Sequence, residues 1–263
     1  MTAQTGPDVV AVGAGVIGLS TAVCLAERGR RVEVRTEREP AQTTSAVASA
    51  MIGPAMAPPD SEAGRWEQAS VAQFSSLAEQ QGTGVMMRRG RLAARERVPP
   101  PPGDFAECGA DELPPGFAVG YWAKLPLVEM VPTSGTLPGG WRRQAVGLSC
   151  AKVDSLLDVA AEVPLIVNCA GLGGTQSSAE TPTEPQPEVA ERILSRCIEV
   201  EPRLRHARVR GHQVGLRPAR PAVRLEIEQI GAARCVHNYG HGGSGVTLSW
   251  GSAFRAAALL LSE

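Results

Sequence analysis

The sequence predicts an α/β protein with a parallel sheet, and three patterns near its start lead to this fold class. The run Val9–Val12 is apolar and β-branched, which is typical of a buried strand. Apolar residues then recur at helical spacing over residues 17–28, until Gly29 ends the pattern. Residues 31–35 alternate like a second strand. Strand, helix and strand in this order form the βαβ unit of a parallel sheet.

The composition excludes several classes of protein. The chain has 263 residues, 43% of them hydrophobic, and its 26 Lys and Arg against 27 Asp and Glu give a net charge of −1. We therefore expect a soluble globular protein, with neither nucleic acid nor an anionic membrane as partner, because both select basic surfaces. The six cysteines are scattered and contain no CxxC pair, so neither a disulfide framework nor a zinc site is expected.

The longest uncharged run, at residues 9–26, raises the question of export or membrane insertion. It follows Asp8 and contains glycines at fixed spacing, so it predicts a buried strand, turn and helix rather than a signal peptide or membrane span. Without an export or anchoring segment, the expected compartment is the cytoplasm.

The rest of the chain contributes further predicted elements. We expect a surface connection at residues 88–103, which begin basic and end in consecutive prolines, and an exposed loop at residues 175–187. Helices are predicted at residues 66–80 and 153–161, around Val189, Ile193 and Cys197, and from Val246 onwards. Strands are predicted at residues 165–169, 208–216, 223–227 and 235–239.

The glycine motif GAGVIG, at residues 13–18, stands between the first predicted strand and helix. Its first glycine permits a tight turn, its second lets a pyrophosphate approach the backbone, and its third lets helix and strand pack closely. Glu37 follows the second strand, 22 residues after Gly15, where a carboxylate can bind ribose hydroxyls. These features predict a dinucleotide site, and Arg35 and Arg38 leave NADP open as the dinucleotide.

A second glycine-rich motif, HNYGHGGSGVTL at residues 237–248, ends one predicted strand and opens the last helix. A helix N-terminus without large side chains can bind an anion or an electron-rich ring edge, and we assign this role to residues 243–247. His237 and His241 are four residues apart, which could suggest a metal. No third ligand is nearby and the intervening glycine disfavours a helix, so no metal site is predicted.

Three arginines, Arg217, Arg220 and Arg224, lie within GLRPARPAVRLE at residues 215–226. Pro218 stiffens the chain after Arg217 and can hold its guanidinium in the fixed direction that bidentate binding of a carboxylate requires. Most arginines of this kind are structural salt-bridge or surface residues, so both interpretations stay open for each of them.

Five segments resemble the D-amino-acid oxidase family, which includes D-aspartate oxidase. They are VVAVGAGVIGLSTAVCLAERG at residues 9–29, TTSAVASA at 43–50, IVNCAG at 166–171, GHQVGLRPARPAVRLE at 211–226 and VHNYGHGGSGVTLSWG at 236–251. The resemblance implies a Rossmann-like FAD-binding domain joined to a smaller, reduced antiparallel-sheet substrate domain. The implied division assigns residues 1–55, 145–175 and 228–263 to the first domain and residues 56–144 and 176–227 to the second.

The resemblance also implies a reaction and the residues for it. It implies FAD as cofactor, a D-amino acid and molecular oxygen as partners, and oxidative deamination to a 2-oxo acid with ammonia and hydrogen peroxide. Arg217 would bind the substrate carboxylate and would form the catalytic pair with Gly243. By motif position, the residues that would bind FAD are Gly13, Ala14, Gly15, Val16, Ile17, Gly18, Glu37, Arg38, Thr43, Thr44, Ser45, Val153, Arg217, Gly242, Gly243, Ser244, Gly245, Val246 and Thr247.

The chain departs from the family pattern where the substrate pocket is expected. Residues 172–187 alone separate Gly171 from the next predicted helix, too few for the family's pocket strands at about 3.3 Å per residue. Of the chain's two tyrosines, neither Tyr121 nor Tyr239 matches the family's substrate tyrosine, and Ser244 stands where the family often has a bulky residue. A catalytically impaired FAD-binding protein is therefore the alternative function. Exposed sheet edges and apolar surface also predict either poor solubility or a homodimer that covers them.

Overall fold

The computed structural model of the chain describes residues 6–53, 57–130, 146–174 and 184–262. Its strands, in chain order, are β1 (Val9–Val12), β2 (Val32–Arg35), β3 (Val85–Ala94), β4 (Ala106–Glu107), β5 (Val119–Val128), β6 (Val146–Ser149), β7 (Leu165–Asn168), β8 (Ala219–Ile230) and β9 (Ala233–His241). Its helices are α1 (Val16–Ala26), α2 (Glu62–Ala78), α3 (Leu156–Glu162), α4 (Pro187–Val200) and α5 (Gly245–Leu261). These elements confirm the predicted α/β class.

Six strands form one mixed sheet in the order β6, β2, β1, β7, β9, β8. Neighbouring strands are parallel from β6 to β9, and β8 runs antiparallel to β9. The carboxyl ends of β6, β2, β1, β7 and β9 therefore lie along one edge of the sheet, which we call the carboxyl edge. The chain leaves β1 towards β2 on one side, and β7 lies on the other side, so the turn after β1 stands where ligands bind in open α/β sheets.

Successive residues of β1 face opposite sides of the sheet, and both sides are covered. Val9 and Ala11 pack into the larger core, together with side chains of α1 and α5. Val10 and Val12 pack into the smaller core, beside Val159 of α3. Burial on both faces explains why this segment is an unbroken apolar run rather than an alternating one.

Strands β3, β5 and β4 form a second, antiparallel sheet. Its presence corrects the predicted surface connection at residues 88–103, because the segment is a strand as far as Ala94 and lacks regular structure only beyond it. The guanidinium carbons of Arg89 and Arg91 lie 3.9 and 5.4 Å from the centroid of the Trp122 ring. Stacking on an aromatic ring of β5 lets these charged side chains belong to a strand.

The predicted strand at residues 208–216 is wrong. Residues 207–218 have no regular structure and are largely exposed. Alternating residues form a strand only where a neighbouring strand takes up their backbone hydrogen bonds, and no described strand lies beside this segment. The other predicted helices and strands are present, with their ends shifted by a few residues. Most of the predicted loop at residues 175–187 lies outside the described residues, and α4 begins at its last position.

The division into two domains stays a prediction. Strand β8 runs through the predicted boundary between residues 227 and 228 and belongs to the six-stranded sheet. Strands β3, β4 and β5 all lie within residues 56–144, which the prediction assigns to the substrate domain.

Helices α2 and α5 pack with their backbones in contact, and Gly251 makes this possible. A Cβ atom at Gly251 would lie 2.5 Å from the carbonyl carbon of Trp66, so a side chain there forces the helices apart. We expect Gly251→Ala to lower the free energy of unfolding by about 2 kcal/mol, although alanine favours helix formation. Urea denaturation followed by circular dichroism measures this loss.

The matched control for this prediction is Gly211→Ala. A Cβ atom at Gly211 would meet nothing within 4 Å in the described part of the chain, so stability should change by less than about 0.5 kcal/mol. Equal losses in the two variants would contradict the packing argument.

Candidate active site

The turn between β1 and α1 is so tight that it requires glycine. Gly13 has a φ of 105°, in the left-handed region, and a Cβ atom there would lie 2.5 Å from the carbonyl oxygen of Cys169. A Cβ atom at Gly18 would collide with the carbonyl oxygen of Gly13. The turn therefore packs directly against the end of β7 and the first turn of α1, in the geometry of a dinucleotide-binding motif.

The N-terminus of α1 is not capped by its own N-cap residue. Gly15 provides no side-chain hydrogen bond, and the first turn contains no acidic residue. The backbone N–H of Val16 instead donates to Oγ of Ser45 at 3.0 Å, from 29 residues away. Ala14 and Val16 are buried and Ile17 is half-buried. The helix end thus presents backbone N–H groups and a partial positive charge, with the hydroxyl of Ser45 beside them.

Three predicted residues follow strand ends at the carboxyl edge: Glu37, Arg38 and Val153. The first two are exposed and the third is half-buried. Arg35, at the end of β2, is held by the carboxylates of Glu33 at 3.0 Å and Glu162 at 2.6 Å. It is therefore not free to bind a 2′-phosphate. Of the two arginines that allowed NADP as the dinucleotide, only Arg38 is left.

Arg217 and Gly243, the residues predicted to form the catalytic pair, lie against each other. Gly242–Ser244 form a short 3-10 turn before α5. A Cβ atom at Gly243 would lie 3.1 Å from Nη1 and 3.3 Å from Nε of Arg217. The backbone N–H of Gly242 donates to the carbonyl oxygen of Pro218 at 3.1 Å, which ties the two segments together.

The N-terminus of α5 is a second helix end without a cap of its own. Its N-cap residue, Ser244, makes no side-chain capping hydrogen bond, and the first turn contains no acidic residue. Gly243 and Ser244 are exposed, Gly245 and Thr247 are half-buried, and Val246 is buried. This end lies at the same carboxyl edge as the end of α1, so both direct a partial positive charge towards it.

The segment at residues 43–47 connects the two glycine motifs. Ser45 binds the N-terminus of α1, as described above. A Cβ atom at Gly215 would lie 3.5 Å from Cγ2 of Thr44 and would collide with the side chain of Val47. The segment that carries Arg217 therefore lies on the segment that binds α1. Contacts between neighbouring segments thus link the predicted residues 13–18, 43–45, 217 and 242–247.

The three candidate arginines differ in their contacts. Arg224 binds two carboxylates of β8, at 2.6 and 2.8 Å, and the hydroxyl of Tyr239, at 2.9 Å. The guanidinium carbon of Arg220 lies 5.5 Å from the centroid of the Tyr239 ring. Within the described ranges, the side chain of Arg217 has neither a hydrogen-bond nor an ion-pair partner. Arg217 is therefore the one of the three arginines with no described hydrogen-bond, ion-pair or ring partner.

The two histidines of the second motif have separate hydrogen-bond partners. His237 lies between Asn168, at 3.1 Å, and Glu228, at 2.9 Å. His241 bonds to Ser252 at 3.3 Å, and burial lowers its pKa to about 4. In the parts of the chain that the structure describes, no group of three potential metal ligands occurs.

The sequence analysis missed Asn168 and Glu228 as partners of His237. One feature of the sequence points to this contact: in both IVNCAG and VHNYGHGG, an apolar strand ends close to a glycine, at the carboxyl edge. Parallel pairing of two such strands places Asn168 directly beside His237.

These residues fit a dinucleotide. Two helix N-termini without acidic residues face one edge, and the glycine turn between them has no space for a side chain. The family model described as FAD dependent oxidoreductase matches residues 8–101 and 117–259. The chain belongs to this family. It is an oxidoreductase, and FAD is its cofactor.

Two curated relatives of the family are named D-amino-acid oxidase, which confirms the resemblance found in the sequence. The protein from Rubrobacter xylanophilus is 38% identical, over 95% of this chain and 94% of the relative. The protein from Streptomyces coelicolor is 37% identical, over 96% of each. The alignments run over 308 and 326 positions, more than the 263 residues here, so both relatives contain segments without a counterpart in this chain.

Solved structures of two oxidases share the fold. Glycine oxidase from Bacillus cereus superimposes with a TM-score of 0.72 at 18% identity, and iminodiacetate oxidase from Chelativorans sp. BNC1 does so with 0.72 at 15%. Each match covers 97% of this chain and 95% of the other. At these identities the likeness establishes the fold of the family member and not its substrate.

Burial of His241 makes the stability of the fold depend on pH. Its pKa falls from the ordinary 6.5 to about 4, so between these values the unfolded chain binds a proton that the folded chain does not. We therefore expect the free energy of unfolding to be independent of this group above pH 6.5. Below that, it should fall by up to about 1.4 kcal/mol per pH unit towards pH 4. Denaturation curves at several pH values give the free energy of unfolding as a function of pH. Its dependence on pH should be weaker in His241→Gln and unchanged in His212→Gln, which replaces an exposed histidine. Identical slopes in wild type and His241→Gln would refute the assignment.

Gly243 keeps the approach to α5 open. A side chain at this position would displace the guanidinium of Arg217 and fill the space before the helix end. We expect Gly243→Val to raise the dissociation constant of FAD about tenfold or more, measured from the ratio of flavin to protein absorbance after dialysis. Gly211→Val, in open space, should retain FAD; normal retention by Gly243→Val would remove this residue from the cofactor site.

Proposed function

We propose that the protein catalyses the oxidative deamination of D-amino acids to 2-oxo acids, with ammonia and hydrogen peroxide as further products. The observation that carries the proposal is the guanidinium of Arg217, which lies against Gly243 and has no partner among the described residues. The relatives named D-amino-acid oxidase, at 38% and 37% identity, support the same assignment.

Arg217 is suited to bind the α-carboxylate of the substrate. Its planar guanidinium can donate two parallel hydrogen bonds to a carboxylate, a geometry that an ammonium group lacks. Pro218 restricts the backbone beside it, and the hydrogen bond between Pro218 and Gly242 fixes this backbone to the glycine motif. The backbone that carries Arg217 is therefore held in place beside the glycine motif.

The site contributes to the reaction mainly by orientation. When bound, FAD would supply the acceptor for the hydride from Cα and the electrons that reduce oxygen to hydrogen peroxide. Arg217 holds the carboxylate, and so sets the distance and direction of Cα. The N-terminus of α5 favours negative charge that develops beside it during the reaction.

No tyrosine is free to cover the substrate. The chain contains two, and both are buried. The hydroxyl of Tyr121 donates to the carbonyl oxygen of Val98 at 2.6 Å, and that of Tyr239 accepts from Arg224 at 2.9 Å. The proposed substrate therefore depends on Arg217 for its main polar contact.

The homodimer and the cytoplasmic compartment stay predictions. Large apolar side chains such as Leu157 and Ile193 are 63% and 56% exposed, and a homodimer would cover positions of this kind. No helix of the described ranges is both long and apolar enough to cross a membrane.

The visible spectrum of the anaerobic holoenzyme tests the proposed reaction. Addition of mixed neutral and acidic D-amino acids should bleach the absorption of oxidised FAD, and the L-enantiomers should leave it unchanged. A spectrum that stays oxidised with every D-amino acid would contradict the proposal and favour the alternative, a FAD-binding protein without catalysis.

Substitution of Arg217 by lysine tests its role in that reaction. We expect Arg217→Lys to raise KM at least about tenfold while FAD content stays the same, because an ammonium cannot replace the planar fork. Arg208→Lys changes an exposed arginine with no contact in the described ranges and should leave KM unchanged. Parallel loss of FAD and activity in Arg217→Lys would instead make the residue structural.

A further inference from the structure

A continuous chain of hydrogen bonds crosses β7, β9 and β8 behind the carboxyl edge. The backbone N–H of Ala170 donates to Oδ1 of Asn168 at 3.2 Å. Nδ2 of Asn168 lies 3.1 Å from Nδ1 of His237, and Nε2 of His237 lies 2.9 Å from Oε2 of Glu228. Arg224 donates to the same Oε2 at 2.8 Å. We call these five residues the His237 chain.

The His237 chain fixes one protonation state of its histidine. Because Oδ1 of Asn168 accepts from Ala170, the NH₂ group of Asn168 faces Nδ1 of His237, which must be an unprotonated acceptor. Nε2 then carries the proton and donates to Glu228. A second proton, on Nδ1 of His237, would face the NH₂ group of Asn168, so that two donors would point at each other. The Asn168 amide could avoid this only by turning over, which would break its bond to Ala170.

One end of the His237 chain supports the turn that binds FAD. The Cβ position of Gly13 lies 2.5 Å from the carbonyl oxygen of Cys169 and 3.3 Å from Cα of Ala170. Ala170, which His237 holds through Asn168, is therefore in direct contact with the glycine turn. The other end belongs to β8, the strand that begins two residues after Arg217.

We propose that His237 is a positioning residue for FAD: in its neutral state it holds Asn168 and Ala170, and through them the Gly13 turn, in the geometry that binds the cofactor. Protonation of His237 releases this hold and weakens FAD binding. The proposal concerns the cofactor of the family, so its test does not depend on which amine is the substrate.

The groups around His237 determine where it titrates. The titratable and charged groups that face it are Glu228, Glu226 and Arg224 on β8 and Tyr239 on β9. From β7 it meets the uncharged amide of Asn168. Burial, and then Arg224, lower the pKa of His237 and outweigh Glu228, which raises it. The ring is therefore neutral at pH 7 and becomes protonated in acid.

FAD release from the holoenzyme, followed by flavin fluorescence between about pH 8 and about pH 5, tests the proposal. For the wild type we expect the dissociation constant to rise about tenfold or more towards the acid end, as one buried hydrogen bond is lost. His237→Gln keeps a neutral donor towards Glu228 and cannot be protonated. Its dissociation constant should stay within about threefold of the wild-type value at pH 8 and should not change with pH.

Two further variants separate positioning from a general structural role. Asn168→Asp offers a carboxylate to the protonated ring and still accepts from Ala170, so FAD binding should strengthen rather than weaken towards acid pH. His212→Gln, at an exposed position, should keep the wild-type profile. A flat wild-type profile, a wild-type slope in His237→Gln, or FAD release only together with loss of circular dichroism would overturn the proposal.

Discussion

The close approach of two backbone segments, the turn after β1 and the end of β7, is the constraint on which the rest of the site depends. No Cβ atom fits at Gly13, because the carbonyl oxygen of Cys169 occupies its place, and none fits at Gly18, because the Gly13 carbonyl does. The position of the turn is therefore set by its packing against the end of β7, where the His237 chain holds Asn168 and Ala170. The sheet also diverges at this point, towards β2 and towards β7, which opens the crevice that a dinucleotide needs.

The positive potential at the carboxyl edge comes from two helix N-termini that have no acidic residue and no cap of their own. Neither α1 nor α5 has an acidic residue in its first turn or a capping hydrogen bond from its own N-cap side chain. Such a cap contributes about 1 kcal/mol to a helix. Ser45 replaces it in part at α1, so the protein without cofactor lacks this stability mainly at α5. FAD binds the folded state and restores part of this stability by mass action. Arg217, exposed beside α5, adds a full positive charge to the two partial ones.

Local chemistry predicts the glycine turn after β1 from the sequence, whereas contacts that depend on strand pairing cannot be predicted in this way. A left-handed turn requires glycine whatever surrounds it, so the first motif was recognisable. The contact between Arg217 and Gly243 depends on the β8–β9 pairing, whose register is irregular, and no spacing rule gives it. Residues 88–103 have the composition of a loop, and the stacking of Arg89 and Arg91 on Trp122 that lets them form a strand depends on β5, which the sequence does not predict. Residues 208–216 alternate like a strand but lack a described neighbour to pair with.

The proposed reaction needs few side chains to select an enantiomer. If Arg217 fixes the carboxylate and the plane of bound FAD fixes the direction of the Cα–H bond, the L-enantiomer must exchange its amine and its side chain. One further contact to the amine then suffices to favour the D-form. Discrimination among side chains needs a pocket wall, and here both tyrosines are bound elsewhere and the relatives contain segments that this chain lacks. If the proposed reaction holds, this chain would keep the stereochemistry and accept a wider range of side chains.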